Sequence, residues 1–264
     1  YNYGIYLYSS SNNNTITGNT CYNNKSHGIC LYSSSNNNTI TDNTCYNNSN
    51  GIRLYSSSDE NTITGNTCNN NYHGIYLDSS SNNTVTGNTC NNNNGSGIIL
   101  SPSSNNTITG NTCNNNGRGI YLDSSSNNTV TGNTCNNNDY GIRLDSSSNN
   151  TVTGNTCYNN NYYGIYLGSS SKNTVTGNTC NDNRYHGIYL DSSSNNTVTG
   201  NTCIRGTGQT NDYAASQYTI RLSGSSNNYN LISSNNCMGK AVVIEGGTGN
   251  SAWGNKFDNT DNLS

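Results

Sequence analysis

The chain has 264 residues, of which 29% are hydrophobic and 9% charged, with a net charge of −3; soluble domains usually run to about 45–50% apolar and about 25% charged. Low hydrophobicity marks disorder when high charge and few aromatics accompany it, but here the charge is low and 21 tyrosines sit in a strict repeat. There is no basic block to act as an electrostatic footprint for nucleic acid, and no apolar run reaches membrane-spanning length. The chain opens at Tyr1-Asn2-Tyr3-Gly4, inside a repeat, which predicts that it is part of a larger surface protein. Nine units then follow, each closed by a cysteine: Cys21, Cys45, Cys68, Cys90, Cys113, Cys135, Cys157, Cys180 and Cys203, spaced 24, 23, 22, 23, 22, 22, 23 and 23 residues apart.

Each unit carries a "GIxL" segment, such as Gly74-Ile75-Tyr76-Leu77, and a "TVT" or "TIT" segment followed by Gly-Asn-Thr-Cys. Two distances never change: five residues from Val or Ile to Cys, and two from Ile to Leu. Length varies only between Cys and Ile (seven or eight) and between Ile and the next Val or Ile (ten or eleven). Rigid strands joined by adjustable turns explain both facts, and a period of two puts Ile98 and Leu100 on one face. The Asn, Ser, Thr and Gly content, with no 3.6-residue period, excludes helical repeats. A unit of this length cannot bury its own apolar face, so stacking on both neighbours must supply the core. The expected fold is all-β: a single-stranded right-handed parallel β-helix of about 10–11 coils, 22–24 residues each.

Val85, Asn88, Cys90, Ile98 and Leu100 are assigned inward, with their equivalents stacked about 4.8 Å apart. The Asn column from Asn19 to Asn201 is expected to satisfy itself as an amide ladder. Gly precedes each of these Asn except at Asp42, which predicts left-handed backbone there. Residues 1–264 are read as one domain, with regular repeats over 1–203. The interval from Cys203 to Ile220, the next Ile in the strand pattern, is 17 residues, which predicts an inserted loop at 204–219 and degenerate coils with a cap at 220–264. Phe257 and Trp253 are expected to plug the open end of the core.

The cysteine column admits three readings. Disulfides between stacked coils have a permissible Cα separation, but parallel Cβ vectors make bridging awkward. Metal sites need convergent ligands, and C-x-x-C is absent. The preferred reading is a column of small buried hydrophobes. Cys30 takes an outward slot between Ile29 and Leu31 and is expected to be exposed.

The outward slots carry the chemistry. The middle residue of "GIxL" reads Tyr6, Cys30, Arg53, Tyr76, Ile99, Tyr121, Arg143, Tyr166 and Tyr189. Two positions on stand Tyr8, Tyr32, Tyr55, Asp78, Ser101, Asp123, Asp145, Gly168 and Asp191, and the slot before Gly includes His27, His73, Arg118, Tyr140 and His186. Tyr76, Tyr121, Tyr166 and Tyr189 suit stacking on sugar rings, since tyrosine pairs an apolar face with a polar tip. Arg53 and Arg143 suit pairing with uronate or sulfate. Asp123 and Asp145 lie one coil apart, near the separation of about 5–5.5 Å that retaining glycosidases use. With Arg143 beside them they also suit calcium in a uronate lyase, and His186 is the candidate acid–base. Tyrosine is equally a good strand residue, and Asp after a strand equally a turn residue. The Thr columns from Thr15/Thr17 to Thr197/Thr199 resemble ice-binding surfaces, or are ordinary solvent-facing strand positions. Many N-x-T triplets are glycosylation acceptors if the chain crosses a glycosylating pathway.

The segment "GIYLDSSSNNTVTGN", Gly119 to Asn133, resembles the β-helix repeats of carbohydrate-binding and sugar-hydrolase proteins, in particular the NosD-like periplasmic copper-processing proteins and the β-helix surface proteins of methanogenic archaea. The resemblance covers nearly the whole chain. It implies the fold, and a function among lyases, hydrolases, epimerases and noncatalytic surface proteins. One Met and three scattered His are too few for a copper cluster. The expected function is an extracellular or cell-surface domain with a structural or polysaccharide-binding role, its partner a polysaccharide or cell-wall glycan. The alternative is a lyase or glycoside hydrolase acting on an acidic glycan, with no cofactor beyond calcium.

Overall fold

The computed structural model describes residues 2–204, 218–238 and 242–256. Its strands form two parallel sheets of eleven strands each, the solenoid expected from the repeat. The first sheet takes the "GIxL" segments, such as Arg118–Asp123 and Tyr140–Asp145. The second takes the "TVT" segments, such as Thr129–Thr131. A third, narrower face follows the Gly-Asn corner. It holds three strands in the first coils (Thr20–Tyr22, Thr44–Tyr46, Thr67–Asn69) and continues as single bridges from Thr67 to Lys256. The sequence pattern predicts only a turn there.

Every inward assignment holds: Val85, Cys90, Ile98 and Leu100 are fully buried and Asn88 nearly so. Neighbouring coils align residue on residue, with Ile120 opposite Ile142 and Val130 opposite Val152. At roughly 2–3 kcal/mol per fully buried aliphatic side chain, these apolar columns form the continuous core.

The polar residues follow a rule. In the coil running from Arg118, backbone φ is positive at Ser124, Asn127, Gly132 and Asn137. The residue after each one, Ser125, Asn128, Asn133 and Asn138, turns inward and is buried. This coil thus rounds four left-handed corners, each delivering one polar side chain to the interior; the coil from Ser96 keeps three of them, with Pro102 at the place of the corner serine. Ser, Asn and Gly dominate because few other residues tolerate or cap such corners. The length variation is absorbed here too: the longer early coils spend an additional left-handed serine at one corner, as at Ser33 and Ser34 or Ser56 and Ser57.

The inward polar residues form four ladders, of which the sequence had indicated one. At the Gly-Asn corner, Asn133 Nδ2 donates to Ile108 O (2.9 Å) and Asn155 Oδ1 (3.0 Å), while its Oδ1 accepts from the backbone and side-chain amides of Asn111, both at 2.9 Å. The Asn128–Asn150 and Asn116–Asn138 columns repeat this pairing. The serine ladder links Ser125 N to Ser147 Oγ at 2.9 Å. Buried amides paired in this way stabilise the turns; Asn138 Nδ2 is the exception, buried without a partner. Asp42 has φ 54° and occupies the corner glycine's place as expected.

Three expectations need correction. Cys30 is only 4% exposed: its short side chain lies between the longer Tyr6 and Arg53 of the flanking coils, its register partners. The loop expected at 204–219 ends early, because Tyr218–Ser223 is a strand of the first sheet; residues 205–217 lie outside the described residues. Trp253 does not plug the core. It pairs with Ser233 in the outward slot of its strand and is 59% exposed, while Phe257 lies outside the described residues. All eleven cysteines are buried and free. Burial pushes the thiols of Cys90, Cys135 and Cys180 well above the ordinary range, which keeps them protonated and inert.

Candidate functional site

The outward residues of the first sheet form one continuous stripe, because the register carries each slot straight to the next coil. Tyr121 faces Arg143, Arg143 faces Tyr166, and Tyr166 faces Tyr189. Arg143 lies among three rings, 4.8 Å from the centroid of Tyr140, 5.3 Å from Tyr166 and 5.6 Å from Tyr121. Arg53 packs on Tyr55 at 4.5 Å and Tyr76 at 5.2 Å. Arg118 sits over Tyr121 at 4.7 Å, and Arg221, which the sequence reading passed over, reaches Tyr189 at 5.6 Å. Alternating cations and tyrosine faces hold one another rigid, so ordering the stripe against a ligand costs little additional entropy.

The carboxylates are drawn into the same network. Asp123 and Asp145 are register partners, about 4.8 Å apart at the backbone. Asp145 accepts from Arg143 Nε at 2.7 Å and from the Tyr121 hydroxyl at 3.0 Å, whereas Asp123 accepts from Ser101 Oγ at 3.0 Å. Burial and then the nearby Asp145 raise the pKa of Tyr121, so its phenol stays a donor. The Tyr166 hydroxyl likewise donates to Asp191 at 3.3 Å. Asp145 is thus paired with a guanidinium and capped by a phenol. As for calcium, no three His, Cys, Asp or Glu side chains converge among the described residues.

His186 is 2% exposed and stacks flat on Tyr163 at 5.2 Å, and its Nδ1 accepts from the Tyr218 backbone amide at 3.0 Å. It packs beneath the tyrosine layer. Burial and then Tyr189 push Tyr163 up to about 12. His27 and His73 are pushed down to about 4, by burial first and then by neighbouring arginines. Arg53 NH1 lies 3.2 Å from His27 Nε2. Arginine can only donate, so Nε2 accepts and Nδ1 carries the proton. That proton needs the amide oxygen of Asn50 beside it, an atom otherwise buried without a partner.

At the N-terminal end the stripe dips. Tyr3, Tyr6, His27, Cys30, Tyr32, Arg53 and Tyr55 line a cavity of about 320 Å³. Of these, the sequence singles out only Arg53 as a site residue. The signal it had was Cys30, the one small side chain in the middle slot between Tyr6 and Arg53. On the second sheet, two Thr rows run in register from Thr15/Thr17 to Thr197/Thr199.

The family model for NosD, described as periplasmic copper-binding protein, matches residues 1–139 and 95–264, which together span the chain. No curated protein matches it in sequence. Among solved structures, the A-module of the Azotobacter vinelandii mannuronan C-5 epimerase AlgE6 is similar at a TM-score of 0.81 and 16% identity, over 95% of this chain and 75% of that one. The Dettilon tailspike protein gp208 is similar at 0.72 and 16%, over 96% and 61%. The DFA-IIIase of Arthrobacter chlorophenolicus A6 is similar at 0.69 and 16%, over 86% and 64%. At such identities the likeness is one of fold.

The copper in the family's description finds no matching donor set here. His27 and His73 share a column but are separated by Asn50. His186 lies further along the same column, and the thiols other than Cys30 are sealed in the core. Among the described residues no three candidate ligands converge, and copper binding needs soft or imidazole donors brought together.

Proposed function

The chain belongs to the NosD family, and from its stripe and its lack of a convergent copper-ligand set among the described residues we propose that it is a secreted or cell-surface β-helix that binds acidic polysaccharide. One observation carries this reading: tyrosines and arginines stand in register in the outward slots of one sheet, broken in the middle slot from Tyr6 to Tyr189 only by Cys30 and Ile99, so a linear polymer meets ring faces and guanidinium groups along most of its length. Tyr76, Tyr121, Tyr166 and Tyr189 supply ring-stacking surface, and Arg53 and Arg143 supply cations for carboxylates. That the similar folds include a mannuronan epimerase agrees with this reading. Extracellular placement is part of the proposal. Within the described residues no helix is long and apolar enough to cross a membrane.

The test is affinity electrophoresis through gels containing polyuronate or neutral glucan. Retardation by polyuronate, weakened about tenfold in the double variant Tyr121→Ala, Tyr166→Ala and by Arg143→Gln, supports the reading; equal mobility in all gels removes it. A second reading, cleavage, rests on the adjacency of Asp123 and Asp145. New reducing ends, or the ultraviolet absorbance of unsaturated uronates with and without calcium, would establish it if abolished by Asp123→Asn. Ice binding rests on the two Thr rows, and thermal hysteresis of freezing tests it.

A further inference from the structure

The stripe has a repeating chemistry, but its N-terminal dip does not repeat. In the middle slot of the first sheet, Tyr6 and Arg53 flank Cys30 on adjacent coils. A thiol between two long side chains leaves a notch one side chain deep. Its walls are aromatic and already ordered. Tyr3 stacks on Tyr6 with centroids 4.5 Å apart and planes 10° from parallel, and Tyr32 stacks on Tyr55 at 5.0 Å. The one formal charge lining the notch is the Arg53 guanidinium. His27, also in the lining, is held neutral at pH 7 by burial and by Arg53.

Arg53 is fixed in place. One of its nitrogens pairs with Asp78 on the next coil, another donates to His27, and its Nε is buried with no partner. Cys30 is not a nucleophile here, since burial pushes its thiol up to about 12. It serves to leave space. A cavity of about 320 Å³ lies at the small end of the ligand-pocket range. That size suits one sugar ring rather than a long segment of polymer.

We propose that this notch is a binding site for a single carboxylated sugar ring, its ring against Tyr6 and Tyr32 and its carboxylate on Arg53. The proposal rests on the acidic-glycan reading of the stripe and adds to it a discrete ring subsite that the remaining coils do not repeat.

The experiment titrates the whole chain with D-glucuronate, with glucose as the neutral control, by saturation-transfer NMR. A uronate hexamer is titrated in parallel by calorimetry. Cys30→Tyr fills the notch with a residue type that already occupies this slot at Tyr76 and Tyr121, so the fold tolerates it. Saturation transfer to glucuronate but not glucose, lost in Cys30→Tyr and in Arg53→Gln, is the expected result. Hexamer affinity should fall tenfold or more in Cys30→Tyr. Hexamer binding unchanged by Cys30→Tyr but weakened by Arg143→Gln would overturn the subsite and leave the stripe intact. Equal transfer to glucose and glucuronate would overturn the role given to Arg53. No binding of any uronate would overturn the subsite and the stripe together.

Discussion

Replacing Asn133 by alanine removes a side chain with no exposed surface to speak of and five hydrogen-bond contacts at 3.2 Å or less. The Asn111 backbone amide loses its acceptor and the Ile108 carbonyl loses its donor, whereas the Asn111 side chain keeps the Val85 carbonyl at 3.0 Å. Two buried groups left unsatisfied at about 1–3 kcal/mol each give a loss of about 4 kcal/mol. Asn133→Asp is expected to be worse at pH 7. It still accepts from Asn111, but its second oxygen would face Ile108 O, Thr131 O and Asn155 Oδ1, all now accepting from Nδ2. Acidification should narrow the gap between the two variants, because a protonated carboxyl donates once. Urea unfolding followed by far-ultraviolet circular dichroism measures both, with exposed Asn161→Ala as a control expected within about 0.5 kcal/mol of the parent. Hydrogen exchange at the Asn111 amide gives the local reading. An Asn133→Ala chain within 0.5 kcal/mol of the parent, with Asn111 still protected, would refute the account of the ladders.

Two glycines should fail for different reasons. A Cβ at Gly164 would lie 2.6 Å from Gly187 O and 2.9 Å from Cys180 Cβ, so Gly164→Ala is expected to cost about 1–3 kcal/mol through steric displacement of backbone. At Gly132 φ is +63° with nothing within 4 Å; Gly132→Ala should cost about 1 kcal/mol, and Gly132→Asn less, and thermal melts of the three variants separate strain from clash. The pH dependence follows from His27, lowered from 6.5 to about 4 in the folded chain. Above pH 6.5 both states are neutral there; as pH falls the unfolded chain takes up the proton first, so stability is lost between about 6.5 and 4. At pH 5 the loss is about 2 kcal/mol, and the stability difference between the parent chain and His27→Gln, measured by urea unfolding at pH 7 and pH 5, should shift by that amount. Native thiol labelling should be slow at all eleven cysteines and complete after denaturation; rapid labelling of the column from Cys21 to Cys203 without unfolding would contradict its burial.

The solenoid was legible in the sequence because its constraint is local and repeats. The fixed five residues from Val85 to Cys90 and two from Ile98 to Leu100 set strand, corner and inward face by period alone. Nine copies of the pattern left little freedom for another fold. The Asn19–Asn201 column and the Tyr/Arg stripe could be read the same way, since stacking simply lines up equal slots. What a side chain meets across coils was another matter. The outward slot of Cys30 predicts exposure; the residue is buried because Tyr6 and Arg53 stand above and below it. Asp145 had the spacing of a catalytic carboxylate, yet Arg143 and Tyr121 hold it in an ion pair. His186 had the right chemistry but packs under Tyr163. The other three polar ladders depend on which residue of "SSSNN" or "NNN" takes the left-handed corner, a choice among near-identical neighbours. Period determines which way a residue faces; the register between coils, set by how each corner absorbs its additional residue, determines what it touches, and only the assembled solenoid decides that.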